Sequence, residues 1–300
     1  MAQKKIKRQS ILRDRRRRAI MFRLGISLGV LIFLFFLILI CSWQSYFRID
    51  KIKVTGNMSL NENNLILATD VPLSNNYGSI WPKNFFAWYP RQEIKEFLET
   101  QFPRILDVNT GLAGFSSINL EITEKKPIGV WCGLIKTQVE PCYLVDKDGF
   151  IFDKAPNYSG SLFVHYYGPL NREVAVGANY LSVDNFQALK SFLDNLHNED
   201  LDVTDIEYIS TDDFFNLYIA NGPRLLINTR QTYDKTLRNI LVLLRSKELN
   251  LHDTKNLTSL SYIDLRFGNK ISYKEKGNKP PTSIISASST PLNSASTTSR

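Results

Sequence analysis

The chain predicts an α+β protein in three parts: a single transmembrane helix, a small α+β domain, and a larger mixed β domain with helices on one face. Three observations predict it. The 24 residues from Leu24 to Phe47 carry no charge. Beyond them, apolar periodicity reads in the order strand, helix, helix, strand, strand. From about 133 to 276, period-two runs then outnumber helical stripes.

The run from Leu28 to Ile40 would meet water on every face of a helix. A helix rises ~1.5 Å per residue, so roughly 20 residues cross the hydrocarbon layer and residues 24–47 suffice as an anchor. A cleaved signal peptide has a shorter apolar region ending in small residues. Here bulky Leu39 and Ile40 precede Cys41, and Trp43 and Tyr46 have the character of interfacial anchors. Residues 1–23 hold ten Lys and Arg against Asp14 alone, so this tail is expected to stay in the cytoplasm, with residues from 48 onward outside.

That division reinterprets the basic pI. Of 37 basic and 29 acidic residues, 27 and 28 lie beyond position 23, a formal charge of about −1. The exterior part has no broad basic field for phosphates, so nucleic acid is excluded as its partner. The basic tail is suited to orienting the anchor and touching anionic lipid. Cys132 and Cys142 both fall outside. The compartment permits a bridge between them, worth roughly 3 kcal/mol in the loop-entropy picture. Two separate small apolar side chains is the other reading.

The first exterior run, Ile49 to Val54, alternates with period two and turns at Gly56-Asn57. Ser59 is expected to cap a short helix through Leu65 and Ile66. A longer helix is predicted over 91–101, with Ile94, Phe97 and Leu98 on one face, Pro90 at its start and Pro103 as its stop. Strands follow near 105–109 and 117–123, and a third run covers 127–132. The aromatic segment 77–89 is open to contact with lipid, with a partner or with the domain's own core, the core being the default expectation. Residues 48–132 are thus read as the first domain and 133–276 as the second.

In the second domain, Cys142 to Val145 and Phe150 to Phe152 flank Asp146-Lys147-Asp148-Gly149, a hairpin signal. A calcium loop would need further ligands and a closing Glu that are missing. Helical stripes are predicted around Phe186 to Leu196 and Tyr233 to Leu244, with strands at 206–209, 216–220 and 224–228. The last hairpin is Tyr262 to Phe267, a turn at Gly268-Asn269, and Lys270 to Tyr273. From about 277 to 300 the Ser/Thr/Pro-rich composition predicts disorder.

Motifs for chemistry are missing. The three histidines stand outside metal or nucleophile patterns, and neither a Gly-x-Ser-x-Gly elbow nor a phosphate loop is present. Glu121 and Glu124 are expected on opposite faces of a strand, at the surface. No cofactor, metal or small-molecule substrate is expected, and no enzymatic activity.

In this order, the elements resemble the FtsQ/DivIB family of bacterial cell-division proteins, over Lys4 to about Lys274. Ile52-Lys53-Val54-Thr55-Gly56-Asn57 is similar to the start of that family's POTRA domain, and Glu124-Lys125-Lys126-Pro127-Ile128-Gly129-Val130-Trp131 to its end. Tyr143 through Phe152 is similar to the hairpin opening the β domain, and Ile263-Asp264-Leu265-Arg266-Phe267 to a strand near its end. The resemblance implies a non-enzymatic, single-pass plasma-membrane scaffold at the division septum. It would link early division proteins to the FtsB/FtsL (DivIC/FtsL) coiled-coil pair and to septal peptidoglycan synthesis. It further implies partner binding by strand addition at the last strand, carried here by Phe267, Lys270, Ile271, Ser272 and Tyr273, with Tyr273 the exposed anchor. Two other readings are a membrane-anchored cell-wall or surface enzyme and a POTRA-bearing envelope assembly component.

Overall fold

A computed structural model describes residues 2–78, 81–156, 162–229, 232–244, 254–267, 270–277 and 280–285. The protein is mixed α+β, with one N-terminal apolar helix and a large β-sheet. It divides into two compact units, Met1–Glu124 and Lys125–Arg300.

The first unit begins with α1 (Ala2–Ser42). Within its stretch Ile20–Trp43 an 18-residue window has a mean hydropathy of 3.0 and no buried residue, so the stretch is long and apolar enough to cross a membrane. A single 3-10 turn leads into β1 (Lys51–Thr55), followed by α2 (Glu62–Leu73), the short strands β2 (Asn76–Tyr77) and β3 (Trp81–Pro82), α3 (Arg91–Gln101), β4 (Ile105–Leu112) and β5 (Ser117–Glu124). The sheet order is β1-β5-β4, with β1 parallel and β4 antiparallel to β5. Alternation on β5 sends Ile118, Leu120 and Ile122 to one face, where Leu65 of α2 and Ile94 and Leu98 of α3 bury against them. Gly56 ends β1 at φ +82°, and a Cβ there would stand 2.3 Å from the carbonyl oxygen of Ile122. Both the left-handed backbone and the close approach to β5 require glycine.

Helix α2 is capped by Asn61, whose Oδ1 accepts from the backbone N–H groups of Asn63 and Asn64. This corrects the expected cap at Ser59, whose N–H instead donates to Glu124. Glu124 is correspondingly not a surface residue: its side chain is 5% exposed and accepts from Arg104.

The second unit carries β6 (Gly129–Trp131), β7 (Tyr143–Val145), β8 (Ile151–Lys154), β9 (Val164–Tyr167), α4 (Val183–His197), β10 (Val203–Ile209), β11 (Phe214–Ile219), β12 (Arg224–Asn228), α5 (Tyr233–Leu244), α6 (Thr254–Ser259), β13 (Leu260–Phe267), β14 (Lys270–Glu275) and β15 (Thr282–Ile285). They form a ten-stranded sheet in the order β15-β14-β13-β12-β11-β10-β9-β6-β7-β8. The boundary expected at 132 falls earlier, at Glu124, because β6 pairs with β7 and β9 and so belongs to this sheet.

Phe186, Leu189, Phe192 and Leu196 of α4, with Ile240, Leu243 and Leu244 of α5, share one apolar cluster with Phe215, Leu217, Leu225, Ile227 and Ile263 of the central strands. The Asp146–Gly149 turn closes the β7–β8 hairpin: Asp146 Oδ1 accepts from the N–H groups of Asp148 and Phe150, and Gly149 sits at φ +79° against Phe186. Cys132 and Cys142 are bonded, and Cys132 lies with Val130, Leu144, Phe152 and Tyr167 in a smaller apolar cluster.

Candidate partner-binding edge

The residues singled out for binding sit on the hairpin of β13 and β14, whose turn at Gly268-Asn269 lies outside the described residues. The strands pair antiparallel, with Ile263 opposite Tyr273, Asp264 opposite Ser272 and Phe267 opposite Lys270. That register assigns the faces. Ile271, 1% exposed, enters the core cluster, and Tyr273 packs partly buried against it. Lys270 is exposed and Ser272 half-buried, on the opposite face. Ile271 is therefore committed to its own sheet, and Tyr273 is not the exposed anchor expected. Phe267 is, at 59% exposure.

Asp264 stiffens this hairpin. Its carboxylate is buried and takes both the Nε (3.0 Å) and an Nη (2.8 Å) of Arg266, together with the Arg266 backbone N–H. The guanidinium lies 4.7 Å from the Phe214 ring and 5.5 Å from Phe267. Its hydrogen bond to Asp264 raises the Arg266 pKa further, against the opposing effect of partial burial. Three strands away, on the same face, Glu207 accepts from Asn216 and from the Tyr218 hydroxyl, both at 3.1 Å. Lys136, from the segment between the two bonded cysteines, reaches Asp205 at 2.8 Å and lies 3.8 Å from the Tyr218 ring centre. The disulfide segment is thereby fastened to β10 and β11.

The edge itself differs from expectation. Disorder was expected from 277 onward, yet residues 282–285 form β15 and pair with the outer edge of β14: Lys270 with Ile285, Ile271 with Ile284, Ser272 with Ser283 and Tyr273 with Thr282. Residues 286–300 lie outside the described part. Strand β14 is thus paired along both edges. Composition pointed away from β15 because Thr282-Ser283-Ile284-Ile285 is flanked by Pro, Ser and Thr, and only its two adjacent isoleucines hint at a strand.

No protein-family model and no curated protein matches the chain. Its function must be argued from this geometry and the sequence resemblance together. Among the described residues, no group of three or more His, Cys, Asp or Glu is arranged to hold a metal ion.

Sequence reasoning missed two further groupings. Glu124 gathers the 58–60 turn, and the aromatic segment splits in two: Phe85 and Tyr89 are buried, while Tyr77 is exposed and Trp81, Phe86 and Trp88 are half-buried. The Glu124 contact depends on folded turn geometry that no spacing rule encodes.

Proposed function

We propose that this chain is an FtsQ/DivIB-type division scaffold: a bitopic plasma-membrane protein with its basic tail in the cytoplasm, its first unit a POTRA domain, and its second unit a partner-binding β domain. The observation that carries the reading is the chain order. An apolar helix precedes a β-α-α-β-β unit with a β1-β5-β4 sheet, and a larger sheet follows whose β13–β14 hairpin bears Asp264 and Arg266. This is the order of the sequence motifs on which the resemblance rests. The protein works as a binding module rather than a catalyst, joining FtsB/FtsL-like (DivIC/FtsL-like) single-pass coiled-coil proteins to septal wall synthesis.

The binding mode follows from the edge. A partner strand takes the outer edge of β14 in place of β15, a strand of four residues from a tail rich in Ser and Thr. The β14 backbone supplies affinity, and Phe267 and Lys270 supply specificity from the hairpin's exposed end.

Photo-crosslinking in living cells tests the proposal, with the probe placed at Phe267 or Lys270 and a control probe at Asp194 on α4. Capture of a small single-pass coiled-coil protein from the hairpin positions alone is the expected result. Equal capture from Asp194, or capture of wall-synthesis substrates rather than proteins, would overturn it.

A further inference from the structure

A membrane anchor would need no aromatic groove beside it, yet this chain has one. Trp81 of β3 packs edge-on against Phe35, with ring centres 5.5 Å apart, and Phe35 belongs to the apolar stretch of α1. Trp88 packs edge-on against Trp81 at 5.1 Å and donates its indole N–H to the carbonyl of Pro82 at 3.3 Å. With Tyr77, these two indoles line a largely apolar groove of about 400 Å³. A second aromatic knot holds its position: Phe47, just past α1, lies 5.8 Å from both Phe86 and Phe115. The chain leaving the helix is therefore fastened to the first unit, and the groove has a fixed height along α1.

That height decides the partner. Phe35 precedes Trp43, the end of the apolar stretch, by eight residues, or roughly 12 Å of helix. The 24-residue stretch is roughly 36 Å long, against a hydrocarbon layer of about 30 Å. Even if the whole excess lay beyond the outer leaflet, Phe35 and the indole against it would stand several ångströms inside the hydrocarbon. A loop at that depth must present apolar surface and satisfy its polar atoms internally. The Trp88 N–H meets this condition through Pro82, and the 2.6 Å Lys83–Glu93 ion pair keeps the neighbouring charge compensated.

We propose that Tyr77, Trp81 and Trp88 form a second membrane contact, an aromatic hook that enters the outer leaflet beside α1 and receives a phospholipid acyl chain in its groove. This rests on the reading of α1 as a membrane anchor. The hook resists rotation of the first unit about the anchor, since lipid contact at two places fixes orientation where one helix fixes only attachment.

Depth-resolved quenching tests it in the full chain, reconstituted in phosphatidylcholine/phosphatidylglycerol vesicles whose acyl chains are brominated either near the headgroup or near mid-chain. Three single-tryptophan variants keep Trp43, Trp81 or Trp131 and carry Phe at the other tryptophans, which preserves a ring at each place. Trp81 should lose fluorescence most with mid-chain bromine and Trp43 most with headgroup-proximal bromine, while Trp131 loses none. Quenching at Trp43 without quenching at Trp81 would overturn the hook and leave the anchor standing. Absence of quenching at both would overturn the anchor reading and the hook with it.

Discussion

Arg104 donates from Nε to Glu124 Oε2 at 2.9 Å, while Oε1 of the same carboxylate takes three consecutive backbone N–H groups, those of Met58, Ser59 and Leu60. One side chain at the end of β5 thus closes the turn after β1 and ties in the residue before β4. Burial would push the Glu124 carboxyl up, but the three N–H donors and Arg104 outweigh it and hold the pKa below the usual glutamate range. A carboxyl whose folded pKa is depressed contributes stability above its unfolded pKa and loses it as the pH falls through the folded one. Glu124→Gln should therefore cost about 2 kcal/mol at neutral pH. In thermal melts, the gap between variant and wild type should close in acid, where both lack the charge. A gap independent of pH would assign the loss to packing.

The Cys132–Cys142 bond closes a segment of sequence separation 10. In the loop-entropy account that is worth about 3 kcal/mol. Chemical denaturation of the Cys132→Ser/Cys142→Ser variant should show that loss, and reductant should reproduce it in the wild type. Because Lys136 within the segment holds Asp205, hydrogen exchange should rise at β10 in the same variant while β1 and β5 stay protected.

Residues whose role is set by local period were legible in the sequence. The 91–101 helix follows from Ile94 and Leu98 behind Pro90, the β5 alternation from Ile118, Leu120 and Ile122, and the β7–β8 turn from Asp146 and Gly149. The apolar helix was equally plain. Roles that depend on which strand lies next to which were not. Ile271 and Tyr273 alternate in a way that fits a core face or a binding face equally, and only the register against Ile263 decides for the core. The expected end of the first domain at 132 rests on the resemblance of residues 124–131 to the end of a POTRA domain and so takes in β6. Its pairing with β9, more than thirty residues on, is a long-range fact that local pattern does not carry. The aromatic residues of 77–89 fit lipid, a partner or the core equally by composition, and the contact of Trp81 with Phe35 spans two elements with no shared period.

The buried face of β14 and the exposed end of β13 give opposite expectations for single substitutions. Ile271→Ala removes a buried side chain from the main core and should cost about 2–4 kcal/mol, seen as a lowered denaturation midpoint with an unchanged slope. Phe267→Ala removes an exposed ring and should change stability by no more than about 0.5 kcal/mol, yet it should reduce partner capture several-fold. If Phe267→Ala leaves capture intact while Ser272→Arg abolishes it, recognition lies along the outward face of β14 and not at the hairpin's end.

Truncation after Gly277 isolates the role of β15. A partner strand that takes the same edge must first displace this one, and the protein competent to bind is only the fraction in which β15 has left. Four residue pairs join β15 to β14. A few backbone hydrogen bonds at roughly 0.5–1.5 kcal/mol net each place the cost of displacement near 2 kcal/mol, which weakens binding by up to roughly thirty-fold. Removing the tail should therefore tighten the partner's Kd by about an order of magnitude and raise amide exchange over Lys270–Tyr273 in the free protein. Adding the partner should restore that protection. Loss of binding on truncation would instead make β15 the contact strand, with the partner pairing to its outer edge and β14 remaining an interior strand throughout.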